Sequence, residues 1–144
     1  MSKVEETVTR YLQGLSCSQS VFVVYRQPKG LSESDALKLS TVFGAGMCGT
    51  GCGLCGAASG ALLALSMRHG MDGIDSLDAK ARTYELGRQF LAEFGQRMDG
   101  VTTCEGILGM SPLSTEYKER SKELRATKCA GAVRTAAEIL ESML

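Results

Sequence analysis

The chain contains no tryptophan, and only eight of its 144 residues are phenylalanine or tyrosine. So few aromatic side chains leave no platform on which nucleic-acid bases stack. Net charge is also missing, because sixteen lysines and arginines balance sixteen aspartates and glutamates. Without a basic stripe to face phosphates, nucleic acid is not an expected partner. No stretch approaches the roughly 18 consecutive apolar residues of a membrane-spanning helix, so no membrane is expected either. The opening run MSKVEETVTRYLQGL mixes charged and apolar residues and lacks the apolar centre of a signal peptide. A cytoplasmic address follows as the expectation.

What is present is apolar substance and sulfur. An apolar fraction of 44% over 144 residues suits one compact domain, 1–144, that buries its own core without covalent staples. Six cysteines are unusual in such a chain. In a reducing cytoplasm, thiols serve more often as metal ligands, reactive groups or small buried side chains than as disulfides.

No segment alternates apolar and polar residues long enough to make a strand, and the apolar spacing is helical almost throughout. Val4, Val8, Tyr11 and Leu15 mark a first helix. Ser16 is placed to cap a second, which carries Val21, Phe22, Val24 and Tyr25 and must stop before Pro28. A third starts at Ser32, with Ala36, Leu37, Leu39, Val42 and Phe43 as its apolar positions. Then the composition changes: GAGMCGTGCGLCGAASG, residues 44–60, holds seven glycines and three cysteines. Each glycine costs about 1 kcal/mol in a helix relative to alanine, so the first part of this run should be a loop. AASGALLALSMRHG then resumes the helical pattern as far as Gly70. A long helix follows, capped by Asp75 or Ser76, with Leu77, Ala81, Tyr84, Leu91, Phe94 and Met98 along one face. Cys104 opens a short turn or helix through Leu108, Ser114 or Thr115 caps a polar helix, and a last helix runs from about Lys128 to Met143. The expected fold class is all-α, a single-domain bundle of five to six helices with a Gly/Cys-rich loop.

The cysteines occupy telling positions. Cys17, Cys55, Cys104 and Cys129 each fall at or near an expected helix start. Unpaired N–H groups and partial positive charge at such a start favour the thiolate, the form that binds metal or attacks a disulfide. Cys17, Cys55 and Cys129 also stand at the head of apolar stripes such as Cys129, Val133, Ala136 and Leu140, so their sulfurs should point inward. An inward cysteine is also an ordinary small core residue; repetition of the helix-start position argues for more than filling.

Within the loop, Cys48, Cys52 and Cys55 form a local Cys-x3-Cys-x2-Cys cluster interleaved with glycine. Glycine lets backbone wrap closely round a metal or cluster, and iron–sulfur clusters use related cysteine spacings. Radical enzymes that cleave S-adenosylmethionine share that spacing but need a large α/β barrel, for which there is no βα alternation here. Zinc also accepts four thiolates, although the spacing matches no common zinc finger. Cys52-Gly53-Leu54-Cys55 is a CxxC pair, which suits thiol–disulfide exchange, yet no thioredoxin-like βαβ pattern surrounds it. No phosphate-binding glycine motif follows a strand, and no CxxCH haem attachment sequence occurs. The single histidine, His69, sits at a helix end, where the helix dipole accounts for it better than a ligand role. The methionines, Met47 and Met67 among them, are expected to pack the core.

Cys55-Gly56-Ala57-Ala58-Ser59-Gly60 reads Cys-Gly-Ala-x-x-Gly, with Cys17 upstream and Cys104 and Cys129 downstream. This arrangement resembles the C_GCAxxG_C_C family of small redox-active proteins, over nearly the whole chain. Tyr84-Glu85-Leu86 and Cys104 followed by Gly106-Ile107-Leu108-Gly109 extend the likeness. The resemblance implies a redox role, with Cys17, Cys55, Cys104 and Cys129 as site residues and Gly56 and Gly60 as motif glycines. A related module in split-Soret cytochromes is associated with an iron–sulfur centre. Cys48 and Cys52 are extra to the family pattern, and Cys129 lacks the proline expected after it.

The resulting expectation is a redox-active electron carrier. Its iron–sulfur cluster, or another metal such as zinc, is held by Cys17, Cys55, Cys104 and Cys129, with Cys48 and Cys52 as alternates. Thiol–disulfide exchange at Cys52 and Cys55 is the competing reading. A redox partner protein is implied but not identified, and a second copy of the chain is a further candidate partner.

Overall fold

The computed structural model describes residues 1–144. Eight α-helices follow one another: α1 Lys3–Leu12, α2 Cys17–Tyr25, α3 Glu33–Thr41, α4 Gly56–His69, α5 Leu77–Arg97, α6 Cys104–Leu108, α7 Thr115–Leu124 and α8 Ala130–Met143. A π-helical turn, Arg125–Cys129, joins α7 to α8. The fold is all-α, and the nearest approach to a sheet is one isolated antiparallel bridge between Leu54 and Thr103. The helix number exceeds the five to six expected, because α6 is a complete five-residue helix with its own cap at Thr103 and the π turn divides the C-terminal helical segment into α7 and α8.

Several boundaries follow from capping. Ser16 and Gln19 form a reciprocal capping box, in which each side chain serves the other's backbone N–H. Ser32 caps α3 by accepting from the Asp35 N–H, and Ser114 caps α7 by accepting from that of Tyr117. Ser76 precedes α5 as expected but makes no cap; its hydroxyl instead ties up the turn before it, accepting from Asp72 and Gly73 and donating to the Gly73 carbonyl. The first helix ends at Leu12, short of Leu15, and Gly14 turns the chain with a φ of 124°.

The core lies between α1, α2, α4 and α8, with the C-terminal half of α5 against it. Val21, Val23, Ala57, Ala58, Leu65, Val133 and Leu140 are all buried there. Helices α2 and α4 make the most extensive pairing in the molecule, and two glycines four residues apart make it so close. A Cβ on Gly60 would lie 2.5 Å from the Ser18 carbonyl oxygen, and one on Gly56 would run into the Cys17 sulfur. These are the glycines of the Cys-Gly-Ala-x-x-Gly hexapeptide; they keep α4 thin where α2 crosses it.

Three expected faces differ from those observed. In α3 the buried positions are Ala36 and Ser40, while Leu39 and Val42 are exposed. Small side chains let α3 lie close to α2, and the Ser40 hydroxyl is satisfied by donating to the Ala36 carbonyl at 2.7 Å. In α5, Phe90 and Phe94 are buried and stacked with ring centres 5.7 Å apart, whereas Leu77 and Tyr84 are exposed. At 21 residues α5 is about 31 Å long, against about 21 Å for the 14-residue α4 beneath it. Its first turns therefore overhang the bundle. Met47 and Met71 are exposed rather than packed in the core; Met67 does pack against it.

Candidate functional site: a cavity lined by four cysteines

Cys17, Cys55, Cys104 and Cys129 come from four parts of the chain and line one cavity of about 270 Å³. Each arrives by a different local device. Cys17 is the first residue of α2, set by the Ser16–Gln19 box. Cys55 is the residue before α4, and its N–H donates to the Thr102 carbonyl at 2.8 Å. Cys104 is the first residue of α6, and its N–H donates to Gly53 at 3.0 Å. These two bonds lock the end of the glycine-rich loop to the start of α6, so Cys55 and Cys104 enter the cavity side by side.

Cys129 reaches the cavity differently from expectation. It does not begin a helix: α7, the π turn and α8 are continuous, and the Ala130 N–H donates to the Arg125 carbonyl five residues back. The extra residue in that turn matters for direction. In an α-helix a residue five positions on is rotated by about 140°, which would take Cys129 off the inward face that Leu124 occupies. The wider turn brings it back, so Leu124, Cys129 and Val133 all pack inward. Single π turns of this kind recur at functional sites.

The loop before Cys55 is strained. Ala45, Gly46, Met47, Cys48 and Gly49 have φ between 48° and 75° in an unbroken run. Positive φ costs roughly 1–2 kcal/mol for each residue bearing a Cβ, and three of these five do. Gly46 alone has a further requirement, since a Cβ there would lie 2.6 Å from that of Cys104. Backbone bonds from Cys48 to Val42, Gly51 to Ala45 and Gly53 to Gly46 hold the coil shut. Its outer side carries Cys48 and Cys52, both exposed and neither lining the cavity. The local triplet is therefore divided, with Cys55 inside and the other two facing solvent.

All six cysteines are free thiols. No three cysteine, histidine or carboxylate side chains are grouped so as to hold a single metal ion; the four cavity thiols are spread around its wall. Burial decides the acidity of three of them. Cys55 is pushed above the usual thiol range by burial, then by the charge of Cys17, and the N–H groups of Ala57 and Ala58 at the start of α4 offset this only in part. Cys104 is pushed up to about 12, first by burial and then by Cys17 and Cys129. Cys129 is also raised by burial, against opposing pulls from Tyr11, Arg125 and Lys128. The helix-start argument for low-pKa thiolates thus fails for these three in the metal-free protein. Removing a sulfur anion from water costs more than one helix end returns.

The cavity gathers four of the six cysteines, and comparison with known proteins bears on the chain as a whole. A family model described as "Putative redox-active protein (C_GCAxxG_C_C)" matches residues 15–143. The chain belongs to this family. No curated protein and no solved structure matches it. The C_GCAxxG_C_C signature thus reads onto one place: its cysteines face the cavity, and its two glycines let α2 bring Cys17 there.

Three cavity residues were not singled out from the sequence: Tyr11, Tyr117 and Arg125. Tyr11 passed as a core residue of α1, and Arg125 lay in a polar stretch that otherwise forms an exposed face. The available signal was the spacing of Arg125 and Cys129, four residues apart on one helical segment and so on one side of it. His69 takes no part in the cavity; burial and the charges of Arg82 and Arg68 hold it below the usual imidazole range.

Proposed function

We propose that this protein carries electrons through an iron–sulfur cluster held in the cavity by Cys17, Cys55, Cys104 and Cys129. The observation that carries the reading is the meeting of four thiols, from four separate parts of the chain, on one cavity. The iron of such a cluster is ligated by four cysteine thiolates, so the donor set fits. The space, about 270 Å³, exceeds the roughly 30 Å³ share of one water molecule, and thiols spread over such a wall frame a group larger than a single ion. A lone zinc ion would need them drawn into one tetrahedron.

When bound, such a cluster supplies one-electron chemistry. The chain's own part is to hold four sulfurs, exclude water with Tyr11, Ile107 and Leu108, and set the charge of the surroundings. The raised thiol pKa values support a site that needs positive charge from its occupant before the sulfurs ionise. Thiol–disulfide exchange through Cys52 and Cys55 is less well supported, because the first is exposed and the second is buried in the cavity wall.

The test is anaerobic purification followed by iron and acid-labile sulfide analysis and a visible spectrum. Stoichiometric iron with sulfide and broad visible absorption is expected in the parent protein. Both should be lost in Cys55→Ser and Cys104→Ser and kept in Cys52→Ser. Colourless protein free of iron, or protein holding one zinc per chain instead, would remove the reading.

A further inference from the structure

Arg125 is the one charged side chain among the seventeen residues lining the cavity. It is held rigidly there. Its guanidinium carbon lies 4.4 Å from the centre of the Tyr11 ring, and its Nη2 donates to the Leu15 and Tyr11 carbonyls at 3.3 and 3.5 Å. The other arginines near carboxylates, at 10, 88, 97, 120 and 134, are paired with glutamates, whereas Arg125 makes no ion pair. A half-buried cation with no carboxylate partner is costly unless some other negative charge answers it. The cavity's four sulfurs are the groups beside it that take up negative charge once they ligate a metal.

Tyr11 holds Arg125 in place. Its ring is 2% exposed and clamped under the guanidinium, and both side chains line the cavity with Cys129. Lys128, next in the chain to Cys129, is turned aside to the Leu108 carbonyl at 3.2 Å and does not line the cavity. Arg125 therefore has no rival as a cation there.

We propose that Arg125 is a positioning residue for the redox site: held on the Tyr11 ring, it is the fixed counter-charge for negative sulfur in the cavity. This rests on the cavity being the seat of a sulfur-ligated redox group. An added electron makes that group more negative, so a fixed cation favours the reduced state and raises the potential.

The experiment compares Arg125→Gln, Arg125→Met and Arg125→Lys with the parent, all purified anaerobically. Iron content tests the site itself, and a dye-mediated redox titration tests the counter-charge. With iron bound, Arg125→Gln should shift the one-electron reduction equilibrium about tenfold toward the oxidised state, equivalent to about −59 mV. Arg125→Lys should recover most of that shift. A merely structural role would change the urea midpoint and leave the potential alone. Equal potentials in iron-loaded parent, Arg125→Gln and Arg125→Met would overturn the counter-charge while leaving the cluster reading intact. A parent free of iron removes the cluster reading and the counter-charge with it. Should Arg125→Gln not fold, Arg125→Met, which keeps an apolar stem on the Tyr11 ring, carries the comparison.

Discussion

Alanine placed at Gly60 and at Gly131 should have opposite effects on stability, although both sites are helical. Helix propensity alone predicts a gain of about 1 kcal/mol at each. Gly131 lies exposed on α8 with nothing within 4 Å of a prospective Cβ, so Gly131→Ala should realise that gain. At Gly60 the new Cβ would stand 2.5 Å from the Ser18 carbonyl oxygen and 3.1 Å from its Cα. Both atoms are backbone, so no rotamer change relieves the clash, and α2 must move off α4. Overpacking of this kind costs typically about 1–3 kcal/mol, more where backbone must shift, and it is offset by the propensity gain of about 1 kcal/mol. Gly60→Ala should therefore be destabilised by about 1–2 kcal/mol. The spread between the two variants should be about 2–3 kcal/mol, or several degrees of Tm for a chain of this size. Urea unfolding of the metal-free protein under reductant, followed by helical circular dichroism, measures both midpoints. Because Ser18 adjoins Cys17, Gly60→Ala should also lose the proposed cluster before it loses its fold. A Gly60→Ala protein as stable as Gly131→Ala would refute the account of the motif glycines as the means by which α2 reaches the cavity.

Other outcomes follow from the same geometry. Cys48 is exposed with a φ of 54°, so Cys48→Gly should gain about 1 kcal/mol by relieving the left-handed backbone and keep the proposed cluster at the parent's level; urea midpoints and iron analysis check both. Cys104 titrates near 12 in the fold against 9.0 for the free thiol, and Cys55 and Cys129 are raised as well. A raised folded value favours the native state below pH 9, and that contribution disappears as pH climbs from about 9 toward 12. Metal-free protein should accordingly lose stability over that alkaline window, and Cys104→Ala should show a shallower decline of urea midpoint with pH. Phe94 is fully buried and stacked on Phe90, so Phe94→Ala should cost about 3–5 kcal/mol, read in the same unfolding assay, whereas Tyr84→Ala on the overhanging part of α5 should cost under 1 kcal/mol.

Much of this molecule was legible in its sequence. Ser16, Ser32 and Ser114 stand at the helix starts they announced, and Gly70 closes α4. The inward stripes headed by Cys17, Cys55 and Cys129 are buried as their spacing required. Less legible were features that depend on what lies opposite. Leu39, Val42, Leu77 and Tyr84 have core-like spacing and stay exposed because no element covers them. Burial, a property of the assembled cavity, reversed the expected acidity of the thiols. The π turn is invisible to an argument that assumes 3.6 residues per turn, and it decides where Cys129 points.

Local chemistry, written in the order of residues, determined that this chain is helical, where most of its helices begin, and that its cysteines and glycines are arranged for a purpose other than filling. Those are short-range matters of capping, periodicity and backbone freedom. Only the tertiary structure decided which sulfurs share a wall, that Cys48 and Cys52 face away from it, and that Arg125 and Tyr11 stand beside Cys129. Such neighbours are separated by up to 114 residues of chain, and their meeting depends on how closely α2, α4 and α8 pack.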